Sequence, residues 1–341
     1  MDLATVWFLL VCLLLTGYAI LDGFDLGVGV MSLFARNEDE RGLHINAIGP
    51  VWDGNEVWLL TGGGALFAAF PAVYATVFEG FYLALMLVLT ALIARAVAVE
   101  FRNKVEAPGW RRTWDWVFGL SSLVAALLLG VALGNILRGL PIGPKGSWEG
   151  SFLGLLNPYS LLAGVTGLSL LTLHGALWMR MKTDGDLSER MRRAAMGLLG
   201  VFVVLFAIAY AWTIADSPLW ADASGAKRQI RLHVFYPIFV LGAVGTLLTA
   251  LMKNGRRRAF AASVWLVAVV MIFAAISLYP ALAPSRIDPA HSLTVDNAAS
   301  SPLTLKTMLV IALIGMPLVI AYQTVIYRVF RGRITEAYGH E

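Results

Sequence analysis

Six ionisable side chains carry the chemistry of this sequence. Asp22, Asp25, Asp53, Glu56, Arg95 and Glu100 lie within, or at the mouths of, three long apolar runs near the start of the chain. A charge at the centre of a membrane helix costs roughly 2.5–3.5 kcal/mol on insertion scales, so such residues are kept for a task. Asp22 and Asp25 are three apart, as are Asp53 and Glu56, and each pair shares a helical face. Aspartate is too short to snorkel far to the boundary. Arg95 is the single cation among five acids, so the surplus carboxyls must be protonated or hydrated. A run of exchangeable, partly hydrated carboxyls is what a proton path needs. A plainer reading stands beside it: Glu56 and Glu100 as boundary residues, and Arg95 paired structurally with one carboxylate.

Other chemistries are poorly supplied. Of the five histidines, His44, His291 and His340 fall in loops or the tail. Only His174 and His233 reach membrane depth, and His174 reads as a hydrogen-bonding residue rather than a ligand. The single cysteine, Cys12, excludes an intrachain disulfide, a Cys-ligated iron–sulfur cluster and a multi-thiolate zinc site. No metal site is expected.

The elements that must position these residues follow from composition. Of 341 residues, 58% are apolar and 14% charged, against about 25% charged in an ordinary soluble domain. Mean hydropathy is +0.73. A soluble globular enzyme is excluded, and without alternating ten-residue runs so is a transmembrane β-barrel. The chain reads as a single integral membrane domain over 1–341, all-α and polytopic. Nine transmembrane helices are predicted, at 3–33, 50–70, 73–101, 114–137, 157–180, 195–216, 231–252, 259–282 and 305–330. The count is eight if 50–70, with its two acids and three glycines, does not span. Asn157 and Pro158 read as a cap and first helical position; Pro237 and Pro317 should kink helices rather than end them.

Lys and Arg concentrate in the loops at 34–49, 102–113, 180–194 and 253–258 and in the tail. The positive-inside rule therefore puts the N-terminus outside and the C-terminus in the cytoplasm. The net charge of +4 reports this topology rather than nucleic-acid binding. All six charges then converge on the cytoplasmic half, with Glu79 on the outer side. Trp110, Trp114, Trp116, Trp148 and Trp220 read as interfacial anchors, while Trp52 and Trp58 flank the Asp53–Glu56 pair. Gly62, Gly63 and Gly64 suit either close helix packing or room for a partner helix or flat ligand.

Residues 17–29 (GYAILDGFDLGVG) and 49–71 (GPVWDGNEVWLLTGGGALFAAFP) resemble the signatures of subunit II of the cytochrome bd-type quinol oxidases. Arg95 with Glu100-Phe101-Arg102, Trp114-Asp115-Trp116, Gly134-Asn135, residues 156–164 and His174-Gly175-Ala176 extend the resemblance over essentially the whole chain. It implies two four-helix bundles plus a peripheral helix, and hence nine spans in a multi-pass protein of the bacterial cytoplasmic membrane. It implies a heterodimer with a haem-bearing subunit I, which holds two b-type haems and one d-type haem. This chain would carry no cofactor, and would have quinol, dioxygen and lipid as the complex's small-molecule partners. A small single-helix subunit is a further candidate partner. The resemblance assigns Asp22, Asp25, Asp53, Arg95 and Glu100 to a cytoplasmic proton route toward the haems. Glu56 departs from some members, which carry an amide there. Trp58 and Gly63 are candidates for contact with the partner's haems. The competing class is a proton-coupled secondary transporter, disfavoured because such proteins carry broken helices in both halves.

Overall fold

The computed structural model describes residues 2–216 and 230–334, and the side chains of 230–235 fall outside that description. Trp220, His340 and the side chain of His233 are therefore outside the described residues. The chain there forms eleven α-helices: α1 (Leu3–Ser32), α2 (Glu38–Ile48), α3 (Trp52–Ala69), α4 (Pro71–Gly80), α5 (Tyr82–Phe101), α6 (Pro108–Arg138), α7 (Pro158–Lys182), α8 (Gly185–Asp216), α9 (Ile230–Met252), α10 (Arg256–Leu278) and α11 (Pro302–Val329). Seven of them, α1, α5, α6, α7, α8, α10 and α11, are long and apolar enough to cross a membrane.

Local chemistry sets the boundaries. Asp2 caps α1 by accepting from the Thr5 amide at 2.7 Å, and Asn157 caps α7 in the same way. Pro158 and Pro302 occupy first-turn positions where a missing N–H costs nothing. Pro237 and Pro317 lie inside continuous helices, as expected. Two expectations need correction. The loop at 34–49 contains a helix, α2, capped by Asn37 through the Glu40 amide and opened by three acids that suit its positive end. The run at 73–101 is not one helix. It breaks at Phe81 into α4 and α5, and the Trp148 ring lies where a side chain on Gly80 would stand.

Helix directions follow from the contacts. Leu15, Gly17 and Leu21 of α1 meet Gly62, Trp58 and Asn55 of α3 respectively, so the two run antiparallel. At the far end of α3, the Ser300 amide donates to Ala69 O at 2.8 Å. Its 18 residues thus reach about 27 Å, close to a hydrocarbon core's thickness. Trp7 Nε1 donates to Leu305 O, and Tyr327 bonds Asn55 near the other end of α1. The two helices α1 and α11 are therefore parallel.

Packing joins α1, α3, α5 and α6 in one group and α7 to α10 in a second, with α1 and α6 against α7 as the seam. At the seam, Gly27 and Gly175 bring two backbones so close that a Cβ on either would strike the other helix. Beside them Phe24 stacks on Trp178 at 4.1 Å between centroids. The helix α11 lies on the outside, with Leu303, Ile311, Leu313 and Leu318 exposed. One end of the molecule is closed by an antiparallel hairpin, β1 (Ala281–Ala283) and β2 (Leu293–Thr294). The other, basic end carries α2 and a set of ion pairs: Arg102–Asp115 at 2.6 Å, Arg111–Glu38 at 2.7 Å, and Arg190 with Glu40.

Candidate functional site

The first group of helices encloses a charged cluster toward the basic end. Asp22 and Asp25 project from α1, Asn55 and Glu56 from α3, and Arg95 from α5. Asp22, Asp25 and Asn55 are 0% exposed and Arg95 is 1% exposed. Arg95 bridges two acids. Its Nη1 lies 2.7 Å from Asp22 Oδ1, and its Nη2 donates to Glu56 Oε2 at 3.1 Å. The expectation that Arg95 serves a single carboxylate is thus corrected: the guanidinium fork presents donors in two directions.

Asp25 sits one turn from Asp22 and has a different neighbour. Asn55 Nδ2 donates to Asp25 Oδ2 at 2.8 Å and also to Leu21 O at 3.2 Å. Asn55 Oδ1 accepts from the Tyr327 hydroxyl of α11 at 2.8 Å. Because the hydroxyl occupies the amide oxygen, the amide nitrogen is the end that faces Asp25. The other oxygen of Asp25 and Oδ2 of Asp22 accept no hydrogen bond within the described residues, and Asp22 Oδ1 meets Arg95 as an ion pair. Three carboxyls thus share one guanidinium and one amide, in a site closed by protein on all sides except at Glu56, whose side chain is 22% exposed.

Two expected members stand apart. Asp53 and Glu100 lie on the exposed surface of this chain. Sequence spacing grouped Asp53 with Glu56 on one face, but the face pressed on α1 is set by Asn55, Trp58 and Gly62. At about 100° per residue, Asp53 falls some 200° from Asn55 and turns outward, while Glu56 lies at the edge of the contact. Asn55 and Tyr327 are the residues that sequence reasoning missed. An amide between two acids gave a signal for Asn55, but nothing in the sequence joins Tyr327 to residues so far from it. Glu79 lies in α4, near the hairpin end.

The glycine triplet divides in the same way. Gly62 packs on Leu15 of α1, whereas Gly63 and Gly64 face open space. Trp58 lays its ring over Gly17, with Nε1 buried and unpaired.

His174 is fully buried at the seam. Its Nε2 lies 3.0 Å from Ile20 O and its Nδ1 2.8 Å from Ser263 Oγ, with the ring stacked on Phe260. A carbonyl only accepts, so Nε2 donates to Ile20 O, while Nδ1 faces a serine hydroxyl whose single proton it shares with Phe260 O, 2.7 Å from Ser263 Oγ. Both ring nitrogens therefore have polar neighbours within the chain. Among the described residues, no group of three or more His, Cys, Asp or Glu side chains is placed to hold a metal ion. Outside the spans, His44 of α2 is also fully buried. Its Nδ1 donates to Glu40 O at 2.7 Å, and burial pushes its pKa down to about 4. The hydrogen bond from Arg111 holds the Glu38 carboxyl below its ordinary range.

Fold and site together define a polytopic, all-helical membrane protein built around a buried carboxylate–arginine cluster. A family model for cytochrome bd terminal oxidase subunit II matches residues 3–330. Cytochrome bd-I ubiquinol oxidase subunit 2 of Escherichia coli (strain K12) is 38% identical over 359 residues, covering 97% of this chain and 95% of its own. Cytochrome bd ubiquinol oxidase subunit 2 of Bacillus subtilis (strain 168) is 39% identical, covering 98% and 97%. A chain from the structure of bd oxidase from Geobacillus thermodenitrificans superposes with a TM-score of 0.80 over 97% of this chain and 99% of that one; at 18% identity the likeness is one of fold. The chain belongs to the cytochrome bd terminal oxidase subunit II family.

Proposed function

We propose that this chain is the haem-free subunit of a heterodimeric quinol:oxygen oxidoreductase in a bacterial cytoplasmic membrane. It supports a haem-bearing subunit I and admits the protons used in forming water. The observation that carries the reading is the buried cluster: Asp22, Asp25 and Glu56 around Arg95, at the basic end of the molecule. The reading takes nine spans, with α3 and α9 added to the seven apolar helices. Parallel α1 and α11 require an odd number of crossings, a condition that nine spans meet and eight do not. The Lys/Arg bias makes the basic end cytoplasmic and puts the N-terminus outside.

The chemistry assigned to these residues is proton transfer. Each electron passed to dioxygen on its way to water must be matched by a proton. A carboxylate takes up that proton, reorients or exchanges through water, and gives it on. Glu56, at the rim, receives protons from the cytoplasmic side. Asp22 and Asp25 hold them within the span, while Arg95 keeps the residual negative charge tolerable at depth. Asn55 fixes the Asp25 carboxyl but cannot itself relay a proton. The haems and the quinol site lie in the partner, and the quinol is ubiquinol or a related quinol, as in the named relatives. Proton uptake on one side and quinol oxidation on the other would make turnover electrogenic without a pump. Asp53 and Glu100, exposed on this chain, would form an outer part of the path or meet the partner. Gly63 and Gly64 face outward where the partner's helices would lie, whereas the Trp58 ring packs on α1.

The test is Asp25→Asn in the assembled complex. It keeps size and hydrogen bonding but removes the exchangeable proton. Oxygen reduction should slow at least about tenfold, increasingly as pH rises, with haem content and quinol KM unchanged. A wild-type rate across pH for both Asp25→Asn and Asp22→Asn would leave the cluster with a structural role alone.

A further inference from the structure

The turn between α9 and α10 is the most basic feature that the proton path does not use. Lys253, Arg256, Arg257 and Arg258 line a single cleft of about 570 Å³ at the basic end of these two helices. Arg256 is compensated by Asp184 at 2.6 Å, an acid it shares with Arg333. Lys253, Arg257 and Arg258 have no acidic partner among the described residues. The first turn of α10 contains no acid either, so its three arginines stand where the helix dipole disfavours cations. The turn itself is held in place. Asn254 adopts a φ of 55°, and Arg180 donates to its side-chain oxygen at 2.5 Å. The Gly255 amide closes back on Ala250 O at 2.9 Å. Four like charges are therefore gathered on a fixed turn with one shared counter-ion.

The shape of the cleft adds the second observation. From the cations it continues along the helices past Thr246, Thr249, Ala250 and Ala262. Thr246 lies about 10 Å along α9 from Lys253, and Ala262 about 6 Å along α10 from Arg258, at 1.5 Å per residue. Outside the cleft lining, Leu248, Met252 and Trp265 of the same two helices are exposed apolar side chains, the last two 69% and 51% exposed. A charged mouth thus continues into a cleft between two helices walled by threonine and alanine side chains. A free phosphate or nucleotide would use only the mouth, whereas an anionic phospholipid uses both parts.

We propose that this cleft binds an anionic phospholipid, with its phosphate among Lys253, Arg257 and Arg258 and an acyl chain along the α9–α10 groove. The site is independent of the proton path. The lipid neutralises the turn and so stabilises the packing of α9 on α10.

The experiment uses the whole complex in nanodiscs of phosphatidylcholine alone or with phosphatidylglycerol, with inorganic phosphate as a separate arm. In the wild-type complex, phosphatidylglycerol should slow amide hydrogen exchange in residues 250–262, and phosphate should not. Native mass spectrometry should find phosphatidylglycerol retained after detergent extraction. The combined variant Lys253→Gln, Arg257→Gln, Arg258→Gln should lower that retention at least about tenfold, since each cation near a membrane surface adds a substantial increment of attraction. Its oxygen reduction should be unchanged. Equal protection by phosphate would make this a soluble-anion site and overturn the lipid assignment. Identical exchange in both lipid compositions, or full retention in the variant, would reduce the cations to topology signals. The exchange comparison needs no variant, so it decides the matter even if the substitutions block assembly.

Discussion

Arg95 is where one side chain holds most of the site. It lies 1% exposed between Asp22 and Glu56, and removing one partner of a buried ion pair leaves the other uncompensated, at roughly 3–5 kcal/mol. Arg95→Met should therefore lower the yield and thermal midpoint of the complex, read by the temperature at which haem absorption is lost. Adding Asp22→Asn should recover part of that loss, because the stranded charge is removed with its partner. An equal loss in single and double variants would show that packing, not charge, is at stake. His174 makes a contrasting case. With both ring nitrogens bonded to Ile20 O and Ser263 Oγ, His174→Ala should cost about 2–4 kcal/mol of stability through two lost bonds and a cavity. The complex that does assemble should contain its full set of haems by pyridine haemochrome assay; loss of one whole haem would make His174 a ligand.

At the scale of elements, the glycines of α1, α3 and α7 are not equivalent. A Cβ at Gly175 would strike the backbone of α1 at Gly27 and Val28, while nothing lies within 4 Å of one at Gly64. Gly175→Val should push α1 from α7, misplace Asp22 and Asp25 along with the seam, and abolish assembly. Gly64→Ala should leave the fold of this chain intact. Equal complex yields from the two would refute the packing argument. The helix α2 carries its own pH dependence. His44 binds a proton near pH 6.5 when exposed but only at about pH 4 in the folded chain, so the unfolded state takes up more protons between those values. Stability from the buried neutral ring is complete above about pH 6.5 and is lost as pH falls toward 4, by about 3 kcal/mol. Hydrogen exchange over residues 38–48 should accelerate across that window in the wild type and much less in His44→Leu.

For the whole molecule, the exposed apolar surface is the dominant fact. Much of α11, together with Leu60 and Phe67 of α3 and Leu83, Leu87 and Ile93 of α5, is uncovered. Lipid can cover such faces, but the outward Gly63 and Gly64 and the surface acids Asp53 and Glu100 suit a protein neighbour better. The chain should therefore be recovered as a monodisperse species only when co-expressed with subunit I of the oxidase. A stable, homogeneous preparation of the chain alone, by size exclusion in detergent, would count against that dependence.

Composition and apolar run length by themselves determined that this is a polytopic helical protein. Most of the long apolar windows became helices near their expected limits, because the bilayer forces every backbone group to be bonded within its own segment, though 73–101 broke at Phe81 and the helix expected from 195 begins at Gly185. Spacing alone also placed Asp22 and Asp25 together, since three residues on one helix fix a shared face whatever packs against it. Two things needed the tertiary structure. The rotation of α3 depended on how Trp58 and Gly62 fit against Gly17 and Leu15, and that fit turned Asn55 inward and Asp53 outward. The tie from Tyr327 to Asn55 depended on α11 returning beside α3, a contact between distant parts of the chain. Periodicity describes one helix about its own axis; which side faces a neighbour, and which neighbour it is, are decided only when the helices pack.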